Sequence, residues 1–237
     1  MATLLYEGKA KQIYTAENDN EVIIHYKDDA TAGNGAKKAQ FNDKGVMNAE
    51  ISTMIFQYLE ENGIETHFIE QINDRDVRCQ KIDIILLEVI ARNVATGSLT
   101  KRIGIAEGTK LNPSIYELCY KKDEFNDPLI NNDHALALGL ATQEELDVIY
   151  SEVAKINGLL QKLFAEIGIT LVDFKVEFGR NPDGKVVLAD EISPDTCRLW
   201  DAKTDDKLDK DRFRQDLGNV MDAYREIHRR LKARGAN

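Results

Sequence analysis

Apolar residues recur at three- and four-residue steps in three segments of the chain and alternate with polar ones through most of the rest. Over residues 43–62, Val46, Met47, Ile51, Met54, Ile55, Tyr58 and Leu59 form one face of a predicted helix, and Gly63 is placed to end it. Thr142-Gln143-Glu144-Glu145 is a capping box, predicting a long helix to Ile167 closed by Gly168. Residues 209–234 carry Phe213, Leu217, Val220, Met221, Tyr224, Ile227 and Leu231 at helical spacing and read as one final helix with a core-facing stripe. Strands are predicted over 4–14 and 21–27, joined by the polar turn Glu17-Asn18-Asp19-Asn20, with a polar loop over 28–38. Further strands are predicted over 65–71, 77–81, 82–91 and 114–121, with a short helix over 97–103. The 82–91 run is apolar except for Glu88, as in a strand covered on both faces. Strands arranged in hairpins rather than βαβ units predict an α+β fold of antiparallel sheets with flanking helices. A boundary is expected near residues 82–90, dividing a β/α unit (1–85) from a larger α+β body (86–237).

The same alternation exposes candidate chemistry in residues 173–201, DFKVEFGRNPDGKVVLADEISPDTCRLWD. Asn181-Pro182-Asp183-Gly184 is a turn signal between two strand-like runs. If Arg180 lies opposite Lys185, Lys175 falls opposite Asp190. One face then carries Phe174, Val176, Phe178, Val187 and Ala189, and the other Asp173, Lys175, Glu177 and Asp190. In that register Glu177 and Asp190 are diagonal neighbours about 7–8 Å apart at Cα. One divalent cation could bridge their oxygens. A loop one residue longer or shorter would turn Asp190 to the apolar face. A solvated hairpin face is the competing explanation. Against it stand a lysine among the acids, Asp195 and Arg198 just after Ser193-Pro194, and the single tryptophan, Trp200, beside them. Acids mixed with Lys and Arg fit phosphate plus Mg2+, an ion that takes one or two carboxylates and completes its shell with phosphate and water.

Size and charge narrow the classes. The 237 residues suffice for one large domain or two small lobes. A net charge of −10 disfavours nucleic acid as a partner. The basic run Arg225, Arg229, Arg230, Lys232 and Arg234 complements the dipole at the end of the last helix. No apolar run approaches the ~20 residues of a membrane span, and the first residues lack a signal-peptide pattern, so no membrane association is expected. Cys79, Cys119 and Cys197 are widely spaced with no CxxC, which suits a reducing cytoplasm. His25, His67, His134 and His228 occur in no metal-ligand spacing, and no GxSxG or Cys–His arrangement offers a side-chain nucleophile.

Other segments add cations. In YEGKAKQIY (6–14), Gly8 beside Lys9 and Lys11 on one strand face can bring backbone N–H groups and ammonium charges to phosphates, although the spacing is neither Walker nor dinucleotide-binding. Exposed lysines on an edge strand are the alternative. Gly33-Asn34-Gly35-Ala36-Lys37-Lys38 reads as a mobile lid or as a plain surface loop. Arg92 ends an apolar strand and suits bidentate contact with carboxylate or phosphate. Ser98 caps a helix that either binds an anion or is merely capped. Asp209-Lys210-Asp211-Arg212 opens the final helix, solvated or with Lys210 or Arg212 near the site. Lys121 and Lys122 are not separable as nucleotide contacts.

Together these segments resemble the SAICAR synthetase family of purine biosynthesis, through YEGKAKQIY (6–14), AGNGAKK (32–38), QFNDKG (40–45), ARNVATGSLTKR (91–102), DFKVEFG (173–179), DEISPDTCRLWD (190–201) and DKDRFRQDLG (209–218). The resemblance runs from residue 4 to about residue 230 and corresponds to the short bacterial form. It implies a two-lobed, kinase-like or ATP-grasp-like fold, commonly homodimeric. It also implies a ligase that joins L-aspartate to the carboxylate of carboxyaminoimidazole ribotide (CAIR) through an acyl phosphate, with ATP as co-substrate and Mg2+ as cofactor. By resemblance, Gly8, Lys9, Ala10 and Lys11 hold ATP phosphates, and adenine sits near Ile84, Leu86 and Glu88. Glu177 and Asp190 carry Mg2+. Arg92, Ser98, Asp173, Asp195, Arg198 and Lys210 bind substrate, and Lys175, Lys210 and Arg198 neutralise reacting charge. Two departures stand out. Asn34 takes a position where other members carry Asp, and Thr196-Cys197 replaces smaller pairs, which implies a slightly reshaped ribotide pocket. A small-molecule kinase is the competing enzyme class, without HRDxxxxN or DFG and with Asp173-Phe174-Lys175 instead. A nucleotide-binding regulatory protein without turnover is the third.

Overall fold

The computed structural model describes residues 2–33 and 35–235, so Asn34 lies outside the described residues. The chain opens with β1 (Leu4–Glu7), β2 (Lys11–Thr15) and β3 (Glu21–Tyr26), then a hairpin of β4 (Asp29–Ala32) and β5 (Lys37–Gln40). Helix α1 (Lys44–Glu61), β6 (Phe68–Gln71) and β7 (Asp76–Gln80) follow. The long β8 (Asp83–Val94) leads through α2 (Ser98–Ile103), β9 (Lys110–Tyr120), β10 (Leu129–Ile130) and α3 (Asn132–Ala137) to α4 (Gln143–Glu166). Then come β11 (Ile169–Arg180), β12 (Val186–Ala189), β13 (Cys197–Asp201), α5 (Asp211–Arg214) and α6 (Val220–Gly235). One antiparallel sheet has the order β1-β2-β3-β7-β6. The other runs β10-β9-β8-β11, with β12 and β13 end to end along the free edge of β11. This is the expected α+β architecture. The sheets are stitched where the Leu188 amide donates to Glu65 and the His67 amide donates to Leu188, at 3.0 and 2.8 Å.

Period two explains what lies on each face of the larger sheet. Ile85, Leu87, Val89 and Ala91 of β8 and Phe174, Val176 and Phe178 of β11 are buried on one side. There α4 covers them with Ile149, Val153, Ile156 and Leu160. Each of these side chains other than Ala91 contributes about 1.5–3 kcal/mol on full burial. The Thr142 capping box forms as predicted, with Thr142 Oγ1 accepting from the Glu145 amide and Glu145 accepting from the Thr142 amide. Gly63 and Gly168 follow their helices with φ of 83° and 71°.

Four expectations are corrected. The 4–14 segment is two strands, because the Gly8 amide donates to the Lys11 carbonyl and closes a turn. The 28–38 loop is mostly the β4–β5 hairpin, a backbone ladder whose polar side chains hide the strand signal. β8 is covered on one face only, with Leu86 43% exposed on the other. The final helix is broken between α5 and α6, where Asp216, Gly218 and Asn219 adopt positive φ and Leu217 is exposed.

The fifth correction concerns register. Arg180 pairs with Val186, not Lys185, and Glu177 with Ala189. The Asn181 side chain accepts from the Asp183 and Lys185 amides and draws Lys185 into the turn, lengthening the loop by one residue. Leu188, rather than Val187 or Ala189, therefore shares the apolar face with Phe178. Continued in that register, Asp190 would point into the core. Instead β12 stops at Ala189 and Asp190 takes φ 65°, leaving the strand path.

Candidate functional site

The face opposite α4 carries the chemistry. Pairing of Glu177 with Glu88, and of Asp173 with Arg92 and Arg198, sets these side chains on one side together with Lys175. Lys175 Nζ lies 2.8 Å from Glu177 Oε1, 3.2 Å from Glu88 Oε1 and 3.2 Å from Asp190 Oδ2. Lys121 Nζ reaches Glu177 Oε1 at 2.5 Å. Lys11, the first residue of β2, binds Asp190 Oδ1 and lies 3.3 Å from Glu191 Oε1. Glu177 and Asp190 thus converge on one ammonium despite the shifted register, because the turn at Asp190 returns its carboxylate to this face.

Burial opposes charge here, and pairing overrides it. It would lower the Lys11 and Lys175 amines, but Asp190 beside both, Glu191 beside Lys11, and Glu177 and Glu88 beside Lys175 hold them well above the lysine range. It would raise the Asp190 carboxyl, but Lys11 and Lys175, with Lys121 behind them, hold it well below the carboxylate range. No three His, Cys, Asp or Glu side chains among the described residues converge as a metal cage. The donor set fits Mg2+ shared with phosphate, which needs only one or two carboxylates.

Two residues along β11, a rise of about 7 Å, lies a second cluster. Arg92 donates to Asp173 Oδ2 at 3.0 Å, to Glu117 Oε2 at 2.7 Å and to Ser98 Oγ at 3.4 Å. Arg198 donates to Asp173 Oδ2 at 2.8 Å and to Asp211 Oδ2 at 2.9 Å. Gly97 lies against this guanidinium with φ 60°. A Cβ there would sit 3.0 Å from Arg198 Nη2, so only glycine suits the position. Gly97, not Ser98, is the N-cap of α2, and Ser98 serves instead as an acceptor for Arg92.

A third cluster centres on Asp195 and is closed to solvent except at Lys210. Lys44, fully buried, donates to Asp195 Oδ2 at 2.6 Å, and Tyr224 donates to Asp195 Oδ1 at 2.5 Å. Lys210 Nζ lies 3.6 Å from Asp195 Oδ2. Burial would raise the Asp195 carboxyl, but Lys44 and Lys210 hold it well below the usual range.

The structure brings Lys11, Glu88, Lys175, Glu177 and Asp190 into one cluster, and Arg92, Ser98, Asp173 and Arg198 into another. Ile84 and Leu86 lie on the face of Glu88, with Leu86 the more open. Lys9 does not share a strand face with Lys11. It stands in the Gly8–Ala10 turn and pairs with Asp123 at 2.7 Å. Lys121 and Lys122 separate clearly, since Lys122 reaches Glu124 on the surface. Cys197 pairs with Phe174 and lies in the core, so its side chain does not line the charged face. Sequence reasoning missed Lys44, Glu117, Glu191 and Asp211. Only Lys44 carried a signal, since a cation in the first turn of a helix is disfavoured without a dedicated partner. Two hollows of about 500 and 320 Å³ lie elsewhere, beside Glu50 and Lys232 and beside Asn18 and Pro182, and neither includes a residue of the three clusters.

Comparison with known proteins identifies the family. The SAICAR synthetase family profile matches residues 4–231. Phosphoribosylaminoimidazole-succinocarboxamide synthase of Fusobacterium nucleatum is 61% identical over 227 residues, covering 96% of each chain. The crystal structure of that synthase from Ehrlichia chaffeensis superposes with a TM-score of 0.95 at 46% identity, over 98% of this chain and 99% of that one. A type-2 SAICAR synthetase in complex with ADP gives 0.94 at 49% identity, over 96% and 97%. No described helix is long and apolar enough to cross a membrane. With a family profile spanning nearly its whole length, the chain belongs to the SAICAR synthetase family, ligases of purine biosynthesis.

Proposed function

We propose that this chain joins L-aspartate to the carboxylate of CAIR, with ATP cleaved to ADP and phosphate and SAICAR as product. The observation that carries the reading is Lys175, held between Glu177 and Asp190 on the sheet face that also bears Arg92, Asp173 and Arg198. A phosphoryl-transfer centre and an anion-binding centre one strand step apart allow a bound carboxylate to meet a terminal phosphate. The ADP complex of a similar protein supports nucleotide binding.

Residues 1–85 would form the lobe over ATP, with Gly8, Lys9, Ala10 and Lys11 at the phosphates and Ile84, Leu86 and Glu88 near adenine. Residues 86–237 would carry the metal and ribotide sites. Glu177 and Asp190 would hold Mg2+, which when bound neutralises phosphate charge. Lys175 releases its carboxylates to ligand and metal and itself meets the transferring phosphoryl group. Arg92, Ser98 and Arg198 bind ribotide phosphate, with Asp173 orienting both guanidiniums. Lys210 flanks the reacting carboxylate, with Asp195 behind it. Phosphoryl transfer requires positioning and charge stabilisation rather than a protein nucleophile. The aspartate amine then attacks the acyl phosphate carbon, and phosphate leaves. We further propose a cytoplasmic homodimer.

The test omits ATP, Mg2+, aspartate or CAIR in turn. ADP release is expected to require all four, with labelled aspartate recovered in the product. ADP released at full rate without aspartate would support a kinase and overturn the reading.

A further inference from the structure

We infer that Lys210 is the proton acceptor for the incoming aspartate amine, and that the buried Lys44 keeps it in that role by claiming the oxygen of Asp195 that Lys210 would otherwise neutralise. The inference rests on the acyl-phosphate reading above. An amino acid arrives as an ammonium ion, which has no lone pair, so one proton must leave before the C–N bond can form. Lys11 and Lys175 each lie within 3.3 Å of two or more carboxylates on the phosphoryl-transfer face and belong to that centre. Arg92 and Arg198 cannot serve as bases.

Lys210 differs by geometry. Its nearest carboxylate oxygen, Asp195 Oδ2, is 3.6 Å away and already takes a 2.6 Å bond from Lys44. The other oxygen, Oδ1, is taken by Tyr224. Two lysines therefore share one negative charge in a buried place, and Lys44 has the better claim. The surrounding groups point the same way. Burial pulls the Lys210 amine below the ordinary lysine range, Asp195 and Glu191 oppose this, and Lys44 and Arg214 add to it. Tyr224 bonds the same carboxylate, and Asp209 and Asp211 flank Lys210 in sequence. The Asp209 carboxyl accepts from the Leu199 and Asp211 amides, and Asp211 pairs with Arg198 and Arg214, so neither neutralises Lys210. The backbone fixes Lys210 as the N-cap of α5, its amide bonded to the Pro194 carbonyl at 3.0 Å. Its side chain is about one-eighth exposed, so it is open to a ligand, whereas Lys44 is sealed.

The step balances. The substrate ammonium gives one proton to the neutral Lys210 amine, and the freed lone pair forms the C–N bond. The carbon–oxygen bond to phosphate breaks, and the departing phosphate takes the second nitrogen proton. Lys210 then returns its proton to solvent.

The test uses Lys210→Arg, which keeps the positive charge but cannot become neutral, with two nucleophiles. Hydroxylamine is already unprotonated at neutral pH and needs no base. We expect Lys210→Arg to lose at least about 100-fold in kcat with aspartate, the scale of general-base catalysis. With hydroxylamine the loss should be at least about tenfold smaller than with aspartate, since no proton need be removed first. Equal losses with both nucleophiles would show that Lys210 only binds and would overturn the inference. Absence of hydroxamate from the wild-type enzyme would sink the acyl-phosphate reading and this inference with it. Lys44→Met gives a second measurement. Returning Asp195 to Lys210 should move the acid limb of kcat up by about one pH unit or more, a tenfold loss at fixed pH on that limb. A loss uniform across pH would reduce Lys44 to a structural role. Should that variant not fold, the two-nucleophile comparison still decides whether Lys210 is the base.

Discussion

Two of the three charge clusters in this molecule are built to different ends. Around Lys175, three lysines are divided among four carboxylates, and Lys175 and Lys121 keep 26% and 38% of their side-chain surface open. Around Asp195, both carboxylate oxygens are held by groups with almost no exposure. In the first cluster a ligand can displace one partner and leave the others paired. In the second, removing a partner strands a charge where water cannot reach it. Exchangeable pairs form the working surface, and the saturated pair forms the frame beneath α5 and α6.

Chelation separates the two most sharply. With EDTA present, turnover should vanish, because Mg2+ is proposed to act only with nucleotide at Glu177 and Asp190. The melting temperature of the nucleotide-free protein should move by less than about 2 °C, the shift expected from well under 1 kcal/mol in a chain of this size. A large fall in melting temperature on chelation would mean a structural metal and would break the distinction.

Substitution inside the frame is expected to act on stability. Asp195→Ala leaves Lys44 buried and unpaired, a change that costs about 3–5 kcal/mol in comparable sites. Urea denaturation should report the loss directly. Substitution on the working surface should do the reverse. Glu177→Gln or Asp190→Asn is expected to cut turnover at least ~10²-fold, an electrostatic loss of about 2.7 kcal/mol. Their unfolding free energies should change by less than the Asp195→Ala value. Near-normal rates at saturating Mg2+ would remove both carboxylates from the metal site.

Much of the working surface was legible in the sequence, because strand alternation assigns Asp173, Lys175 and Glu177 to one face whatever the loop does. Asp190 was legible only by an accident of two compensating features. The loop is one residue longer than the predicted register allows, and the positive φ at Asp190 restores the carboxylate to the face that the longer loop denies it. Neither feature has a local sequence signal beyond Asn181 and an aspartate that tolerates the left-handed region. The frame was far less legible. Lys44 lies 151 residues from Asp195, and Tyr224 fits the apolar stripe of its helix so well that its hydroxyl draws no notice. The break between α5 and α6 was masked because Phe213, Leu217 and Val220 keep helical spacing across it.

A smaller effect tests whether the frame also carries a hidden pH dependence. Asp209 is fully buried. Burial and the neighbouring Asp211 raise its carboxyl, the Asp211 and Leu199 amides pull it down, and the balance leaves it at about 7. Because this folded value lies above the ordinary 3.8, the folded state holds a proton that the unfolded chain has lost between about pH 4 and 7. Its stabilising contribution is full below that window and gone above it. Buried His67, lowered to about 4 by burial and Lys11, acts oppositely, since the unfolded chain binds the extra proton up to about pH 6.5. The wild-type profile alone would therefore look flat. Asp209→Asn removes one of the two terms, so the variant should gain stability relative to wild type by about 2.7 kcal/mol between pH 5 and pH 8, at 1.36 kcal/mol for each of the two units up to the folded value. A constant offset from losing one amide acceptor cancels in that difference. Parallel profiles from urea denaturation at the two pH values would show Asp209 to be ionised throughout, and the frame would then hold a second fixed negative charge beside Asp195.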